Sequence, residues 1–230
     1  MSNDFVQFLI NSVHALWESH KENYKYGYSV FYGPVRSNPD LMLIGLNPGI
    51  EKNCPLASGS KEIIYDQSCP MEYLTYRNDK TYPIAGKTVQ LFESIGMLNM
   101  LSKSVKTNLN FFKSKKWAEL NQQHAAECTN IINQMLITLK PKSVLCESIH
   151  VFDTILSMLS SHSPEYRLVR EEKDRGRRIY ISASASQPDA RPAIIIGITH
   201  LTGSRPTNDT FKTISELLKK DLCCMNDKCL

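Results

Sequence analysis

The chain has 230 residues, of which 42% are hydrophobic and 22% are charged. This is an ordinary globular composition, and the length suffices for one large domain with a substantial core. The formal net charge of +4 permits nucleic-acid binding but is too small to demonstrate it. No apolar run approaches the length of a transmembrane helix, and the N-terminal segment lacks the basic region of a signal peptide. We therefore expect a cytoplasmic protein without a membrane association.

Seven cysteines are present, and no two of them form a C-x-x-C pair. Cys223, Cys224 and Cys229 lie together in a polar C-terminal tail. A metal site needs several ligands from well-placed segments, and no companion histidine motif accompanies these thiols. The sequence therefore predicts reduced, free cysteines, with no metal and no cofactor.

Apolar spacing and turn residues predict the elements of the first half of the chain. Residues 5–21 have helical spacing, residues 28–32 form a short strand, and residues 41–46 form the first strong strand. The next segment, residues 51–83, is polar and irregular, and a segment of that length is usually functional or flexible.

The second half of the chain alternates between helices and strands. We predict helices at residues 86–97, 116–139, 147–159 and 207–222, and strands at residues 104–109, 142–146, 178–182 and 193–199. Such alternation indicates an α/β fold whose sheet is mainly parallel and covered by helices on both faces. No linker or repeat interrupts the pattern, so residues 1–230 are expected to form a single domain.

The strand at residues 41–46 ends abruptly in GLNPG, residues 45–49. Pro48 biases Asn47 toward extended geometry, and Gly49 permits a positive φ. Asn47 is thus held at the tip of a strand, where open α/β sheets bind their ligands. The alternative is that Asn47 is a turn residue chosen for its shape.

A second strand end carries a histidine. The apolar run at residues 194–198 leads to Thr199 and His200, and a loop of small and basic residues follows at 201–206. In a parallel sheet, His200 and Asn47 would lie at the same edge. The alternative is that His200 has only a structural role, with its hydrogen bonds made within the protein at the end of the strand.

Taken in order, these motifs resemble the uracil-DNA glycosylase superfamily, and the resemblance covers most of the chain. GLNPG at 45–49 is similar to the G-x-N-P-G motif of its mismatch-specific and single-strand-selective branches. Thr107-Asn108 resembles the base-reading asparagine, LKPKSVL at 139–145 resembles a strand motif of the family, and Thr199-His200 resembles the H-P-S motif. The resemblance implies a three-layer α/β/α fold around a central, mainly parallel four-stranded sheet.

Three differences from members of the family affect the expected site. The usual H-P-S-P is replaced by HLTGS at residues 200–204, which alters the loop that inserts into DNA. The four cysteines of the iron–sulfur branches are not reproduced. Asn47 also stands where another branch carries an aspartate, so we expect slower catalysis.

The resemblance implies a role for each matching residue. Asn47 would hold the attacking water, and His200 would donate a hydrogen bond to the departing base, an interaction worth about 2.7–4 kcal/mol. Asn108 would read the edge of the flipped-out base, with Gly45 and Leu46 lining its pocket. The base would stack on a tyrosine, for which Tyr65 is the first choice and Tyr73, Tyr76 and Tyr82 are competitors.

DNA contacts are expected from the loop after the histidine, at Thr202, Gly203, Ser204 and Arg205. Arg205 would fill the gap in the duplex or grip a phosphate. Two basic runs, at residues 113–116 and 173–178, either contact the DNA backbone or are solvated surface. No lysine is placed to form a Schiff base with the sugar.

The expected function is therefore that of a monomeric, monofunctional DNA glycosylase, which removes uracil or a modified pyrimidine from DNA. A first alternative is an antiviral defence glycosylase that excises a bulky hydroxymethylated or glucosylated cytosine from phage DNA. A second is a catalytically weak, DNA-binding member of the fold. A third is an unrelated α/β protein, in which Asn47, Asn108 and His200 would not converge on one cleft.

Overall fold

A six-stranded sheet forms the centre of the computed structural model, which describes residues 3–49, 62–64, 70–114, 122–160, 165–186, 192–202 and 206–223. The strands are β1 (Ser29–Tyr32), β2 (Leu41–Gly45), β3 (Glu62–Ile64), β4 (Val105–Asn108), β5 (Ser143–Cys146), β6 (Tyr166–Asp174), β7 (Arg177–Ala185) and β8 (Ile194–Ile198). The helices are α1 (Asn3–His20), α2 (Glu72–Thr75), α3 (Pro83–Ser94), α4 (Leu98–Ser102), α5 (Gln122–Leu139), α6 (Ile149–Ser160) and α7 (Asn208–Cys223).

The sheet is mixed, with the strand order β4-β2-β5-β8-β7-β6. Strands β4, β2, β5 and β8 are parallel to one another, whereas β7 pairs antiparallel with β8 and β6 pairs antiparallel with β7. The expectation of an α/β fold is confirmed. The expectation of a four-stranded sheet is wrong, because β7 hydrogen-bonds to the free edge of β8 and β6 then hydrogen-bonds to β7.

Alternate side chains of the central strands enter two hydrophobic clusters. On β2, Met42 and Ile44 belong to one cluster, and Leu41 and Leu43 belong to the other. The first cluster includes side chains of α1, α5 and α6, and the second includes side chains of α3, α4 and α7. The central strands are therefore covered by helices on both faces. Each such aliphatic side chain contributes about 1.5–3 kcal/mol when it is fully buried.

Strands β6 and β7 form a hairpin that contains the basic run at residues 173–178. Arg175 and Gly176 both have positive φ, 49° and 77°, which suits a tight two-residue hairpin turn. The guanidinium of Arg178 donates two hydrogen bonds to the Asp153 carboxylate on α6, at 2.9 and 2.6 Å. Because Arg178 pairs with another residue of the protein, the structure favours the interpretation of residues 173–178 as solvated surface over a contact with the DNA backbone.

The N-terminal part of the chain covers one side of the sheet. Helix α1 packs against α5, and strand β1 pairs with β3 in a separate two-stranded parallel sheet. The Thr107 hydroxyl on β4 donates a 2.6 Å hydrogen bond to the Val30 carbonyl on β1. Within the described ranges, no helix is long and apolar enough to cross a membrane.

Candidate functional site

The carboxyl ends of four parallel strands meet at one edge of the sheet. Gly45 on β2 is in register with Asn108 on β4, and Ile44 is in register with Cys146 on β5. Cys146 is in turn in register with Gly197 on β8. The residues that follow these strands therefore share one edge, as the sequence predicts for Asn47, Asn108 and His200. Strands β2 and β8 are separated by β5, which corresponds to about 10 Å across the sheet.

Asn47 is half-buried, and the hydrogen bonds that its amide nitrogen donates fix the orientation of its side chain. Its Nδ2 donates to the Pro48 carbonyl at 2.9 Å and to the Ser114 hydroxyl at 3.0 Å. Within the described residues, no hydrogen bond engages Asn47 Oδ1. The side chain thus presents a carbonyl oxygen, which is able to accept a hydrogen bond from a water or a ligand.

The segment after β4 holds the Asn47 turn in place through its backbone. The Leu109 amide donates to the Gly45 carbonyl at 2.8 Å, and the Asn110 amide donates to the Leu46 carbonyl at 3.0 Å. Leu46 is half-buried, and its side chain packs against the hydrophobic cluster that includes α1 and α5. The turn is therefore anchored on its β4 side.

Asn108 is buried, and its side chain lies over Gly45. Asn108 Nδ2 donates a 2.6 Å hydrogen bond to the Tyr32 hydroxyl. A Cβ atom on Gly45 would overlap Asn108 Oδ1 and lie 3.0 Å from Glu147 Oε2. Glycine is thus required at position 45 because an amide and a carboxylate both approach its backbone closely.

Glu147 is a functional candidate that the sequence analysis missed. It directly follows β5, it is buried, and its backbone amide donates to the Ile44 carbonyl at 2.9 Å. The Tyr73 hydroxyl lies 2.7 and 2.8 Å from the two carboxylate oxygens. Burial raises the pKa of Glu147, and the Lys106 charge and the Tyr73 hydrogen bond partly offset that rise.

A second carboxylate, that of the half-buried Glu72, extends this network. Its Oε2 lies 3.1 Å from Lys106 Nζ and accepts a 3.1 Å hydrogen bond from the Tyr82 hydroxyl. Lys106 Nζ also lies over the rings of Tyr32 and Tyr73, at 3.8 and 4.4 Å from their centroids. Burial, followed by the nearby carboxylates, raises the pKa of both Tyr73 and Tyr82, so the two phenols remain protonated donors.

The strand ends therefore carry a polar cluster, composed of Tyr32, Glu72, Tyr73, Tyr82, Lys106, Asn108 and Glu147. Of these residues, Asn108 is predicted from the sequence to read the base, and Tyr73 and Tyr82 are among the predicted competitors for stacking. The one signal for Glu147 is an acidic residue immediately after a buried strand, at the same edge as Asn47. Lys106 is placed by strand alternation, since it lies two residues before Asn108 on the same face of β4.

His200 follows β8 and is exposed at the surface. The preceding Thr199 amide donates to the Ile179 carbonyl at 2.9 Å, which fixes the direction of the chain after the strand. His200 Nδ1 lies 3.2 Å from the Thr202 hydroxyl. Neighbouring protein atoms restrict the hydration of the imidazole and lower the pKa of His200, so the side chain is neutral at pH 7.

Some predicted contacts lie outside the described residues. These are Tyr65, the first choice for stacking, and Gly203, Ser204 and Arg205 of the loop after the histidine. Of the competing tyrosines, Tyr73 and Tyr82 belong to the polar cluster, whereas Tyr76 is 43% exposed. Tyr76 is thus the competitor that remains open to a ligand.

A shallow surface cavity lies beside the Asn47 turn. It is lined by Asn23, Tyr24, Lys25, Tyr26, Lys113 and Ser114. Ser114 connects this cavity to the candidate site, because its hydroxyl accepts the hydrogen bond from Asn47. The two lysines at this cavity carry the charge that neutralises a phosphate.

No protein-family model matches the chain, and no curated protein matches it. The chemistry of the site must therefore be argued from its own residues.

Proposed function

We propose that this chain is a monofunctional DNA glycosylase that hydrolyses the N-glycosidic bond of a flipped-out uracil or modified pyrimidine, leaving an abasic site. The observation that carries the proposal is the common strand edge, which Asn47, Asn108 and His200 share. The proposal extends to the fold. Strands β4, β2, β5 and β8 would be the parallel core of a uracil-DNA glycosylase-like domain, to which the β6–β7 hairpin is an addition.

Base recognition is assigned to Asn108. An enzyme that acts on a base in DNA must take it out of the stack and bind it in a pocket. Because Asn108 Nδ2 donates to Tyr32, its Oδ1 is the atom that faces Gly45. That oxygen would accept a hydrogen bond from an N–H group of the pyrimidine.

Hydrolysis is assigned to Asn47 and His200. The oxygen of a water bonds to C1′ of the sugar while the C1′–N bond breaks, and the released base takes up a proton. Asn47 Oδ1 would orient that water by accepting a hydrogen bond from it. Neutral His200 would donate a hydrogen bond to the pyrimidine oxygen as negative charge develops on the departing base, a stabilisation of about 2.7–4 kcal/mol.

DNA binding is assigned to the cavity beside the Asn47 turn and to the loop after His200. Lys25 and Lys113 in the wall of that cavity would neutralise phosphates next to the flipped nucleotide. Thr202 begins the loop that would contact the DNA on the opposite side of the site. The Lys113 side chain is half-buried, so neighbouring residues would hold it in place while its ammonium group contacts the DNA backbone.

The test is release of free bases, measured by mass spectrometry, from single- and double-stranded DNA. The DNA panel contains uracil, hydroxymethyluracil, hypoxanthine, and hydroxymethylated and glucosylated cytosine. We expect release of one base by the wild-type chain. His200→Ala should lower the rate by about 10²–10³ through loss of one preorganised donor. Asn47→Ala should lower it by about 100-fold through misplacement of the water.

A matched substitution away from the strand edge provides the control for Asn47→Ala. Asn11→Ala on α1 removes the same side chain from an exposed helical position and should leave the rate unchanged. Release of a glucosylated or hydroxymethylated cytosine alone would favour the antiviral alternative over repair. Binding to DNA with no base released from the panel would contradict the glycosylase proposal and favour the DNA-binding alternative.

A further inference from the structure

Three potential metal ligands meet where α1 ends and α5 begins. His20 is the last residue of α1, and His124 and Glu127 are one turn apart near the start of α5. One nitrogen or carboxylate oxygen from each residue lies within 4.8 Å of the other two. Residues 20 and 124 are far apart in the sequence, which is why no local motif reveals the group.

A hydrogen bond at Nδ1 orients the ring of His124, and the other ring nitrogen, Nε2, is the one that would bind a metal. His124 is buried, and its Nδ1 lies 2.7 Å from the Tyr24 hydroxyl. When Nδ1 carries the proton and donates it to Tyr24, the lone pair of Nε2 is available to a metal. Histidines that ligate metals commonly have such a partner on their second ring nitrogen, and it fixes both tautomer and ring orientation.

Glu127 supplies an oxygen that lacks a hydrogen bond. Its Oε2 is buried and has no hydrogen-bond partner in the described part of the chain. The nearest basic atom is His20 Nε2, at 3.4 Å. A buried carboxylate oxygen without a donor is unfavourable, and a bound cation would satisfy it.

We propose that His20, His124 and Glu127 bind one divalent transition-metal ion, for which Zn²⁺ is the best match. Two imidazoles and one carboxylate form a typical three-residue zinc ligand set, in which a water takes the fourth tetrahedral position. Imidazole ligands disfavour Mg²⁺ and Ca²⁺, which prefer oxygen, whereas Co²⁺ and Ni²⁺ can use the same set. The proposal is independent of the glycosylase proposal, since none of the three residues belongs to the strand edge.

Metal binding requires a small rearrangement of His20. The rings of His20 and His124 are stacked with their centroids 3.7 Å apart and their planes 28° apart. A metal lies close to the plane of each imidazole that binds it, so nearly parallel rings must open toward the ion. His20 is able to turn because it is half-buried at the end of a helix, while Tyr24 holds His124 in position.

The test titrates ZnCl₂ into the metal-free full-length chain by isothermal titration calorimetry. We expect one equivalent of Zn²⁺ to bind. Binding should be weakened about tenfold or more in His20→Gln and in Glu127→Gln, which each remove one ligand. Tyr24→Phe keeps the aromatic ring but loses the hydroxyl that orients His124, so its affinity should fall by about 10–100-fold. Circular dichroism verifies that each variant is folded.

The C-terminal thiols are the main competitor for the ion, and a triple variant controls for them. Cys223→Ser, Cys224→Ser and Cys229→Ser together should leave the affinity unchanged. The absorption spectrum with CoCl₂ should show nitrogen and oxygen ligation without a thiolate charge-transfer band. Absence of binding, or binding that the triple variant abolishes and the His20 and Glu127 variants retain, would overturn the proposal. Unchanged affinity in Tyr24→Phe would overturn the orienting role of that tyrosine.

Discussion

The buried carboxyl of Glu147 makes stability depend on pH. An exposed glutamate in the unfolded chain has a pKa of about 4.3, whereas burial raises the pKa of Glu147 in the folded chain. Between these two pKa values the folded chain binds more protons than the unfolded chain. The contribution of Glu147 to the free energy of unfolding therefore falls as pH rises through this window.

Glu147→Gln removes this titration while it preserves the shape of the side chain. We expect the stability of the wild-type chain to fall relative to Glu147→Gln from about pH 4 upward, until the pH passes the folded-state pKa. Below that window both forms carry an uncharged group, so the difference between them should not vary with pH. Urea unfolding of both chains across this range provides the measurement. A difference that is constant over the whole range would show that Glu147 does not titrate as inferred.

Residues whose placement depends on one strand could be predicted from the sequence, and residues brought together by distant contacts could not. Asn47 and His200 stand beyond strand ends because an apolar run stops in front of each, and Asn108 is the last residue of the short strand β4. Glu147 also follows such a run, but its importance comes from Tyr73, Lys106 and Glu72, which approach from other elements. No local periodicity connects these positions, so the sequence alone could not show that they form one cluster.

The same distinction holds for whole elements. Strands β2, β5 and β8 are buried, apolar and short, and the sequence predicts each within one residue at either end. Strand β6 was missed because none of its side chains is buried and several are charged. Such a strand is specified by pairing with β7 rather than by an apolar face of its own. Its addition is what makes the sheet six-stranded and mixed.

A buried ion pair connects this added hairpin to the last helix. Asp221 on α7 is buried, and its carboxylate accepts hydrogen bonds from Arg170 Nε on β6 at 2.6 Å and from the Tyr180 hydroxyl on β7 at 2.8 Å. Asp221→Ala would leave both donors without this acceptor. Removing one partner of a fully buried pair costs about 3–5 kcal/mol, and the partial exposure of Arg170 reduces this to about 2–3 kcal/mol.

The free energy of unfolding from denaturant titration would measure this loss, and the chain offers a matched control. Asp153 on α6 also pairs with an arginine of the hairpin, Arg178, but both of these side chains are at least one-third exposed. Asp153→Ala should therefore cost only about 0–1 kcal/mol. Equal losses in the two variants would mean that burial of the Asp221 pair is not what stabilises the hairpin against α7.

At the scale of the whole molecule, the net charge is only +4. The proposed DNA binding therefore requires that positive charge be concentrated at the surface that contacts DNA. Neutralisation of phosphates by a few lysines makes DNA affinity fall as salt rises, and the slope of log K against log salt measures how many phosphates are neutralised. Lys25 and Lys113 line the cavity beside the Asn47 turn. Lys142 lies at the opposite edge of the sheet, before β5, and pairs with Asp40 at 2.7 Å.

These positions lead to a prediction about where DNA binds. Lys113→Met and Lys25→Met should each reduce the magnitude of that slope by about one, and Lys142→Met should leave it unchanged. Fluorescence anisotropy with a labelled oligonucleotide over a range of KCl concentrations provides the slopes. The three variants carry the same change in net charge, so a difference between them reports location rather than total charge. Equal slopes for all three would mean that the DNA does not follow the edge where Asn47 lies, which would remove the electrostatic support for the proposed site.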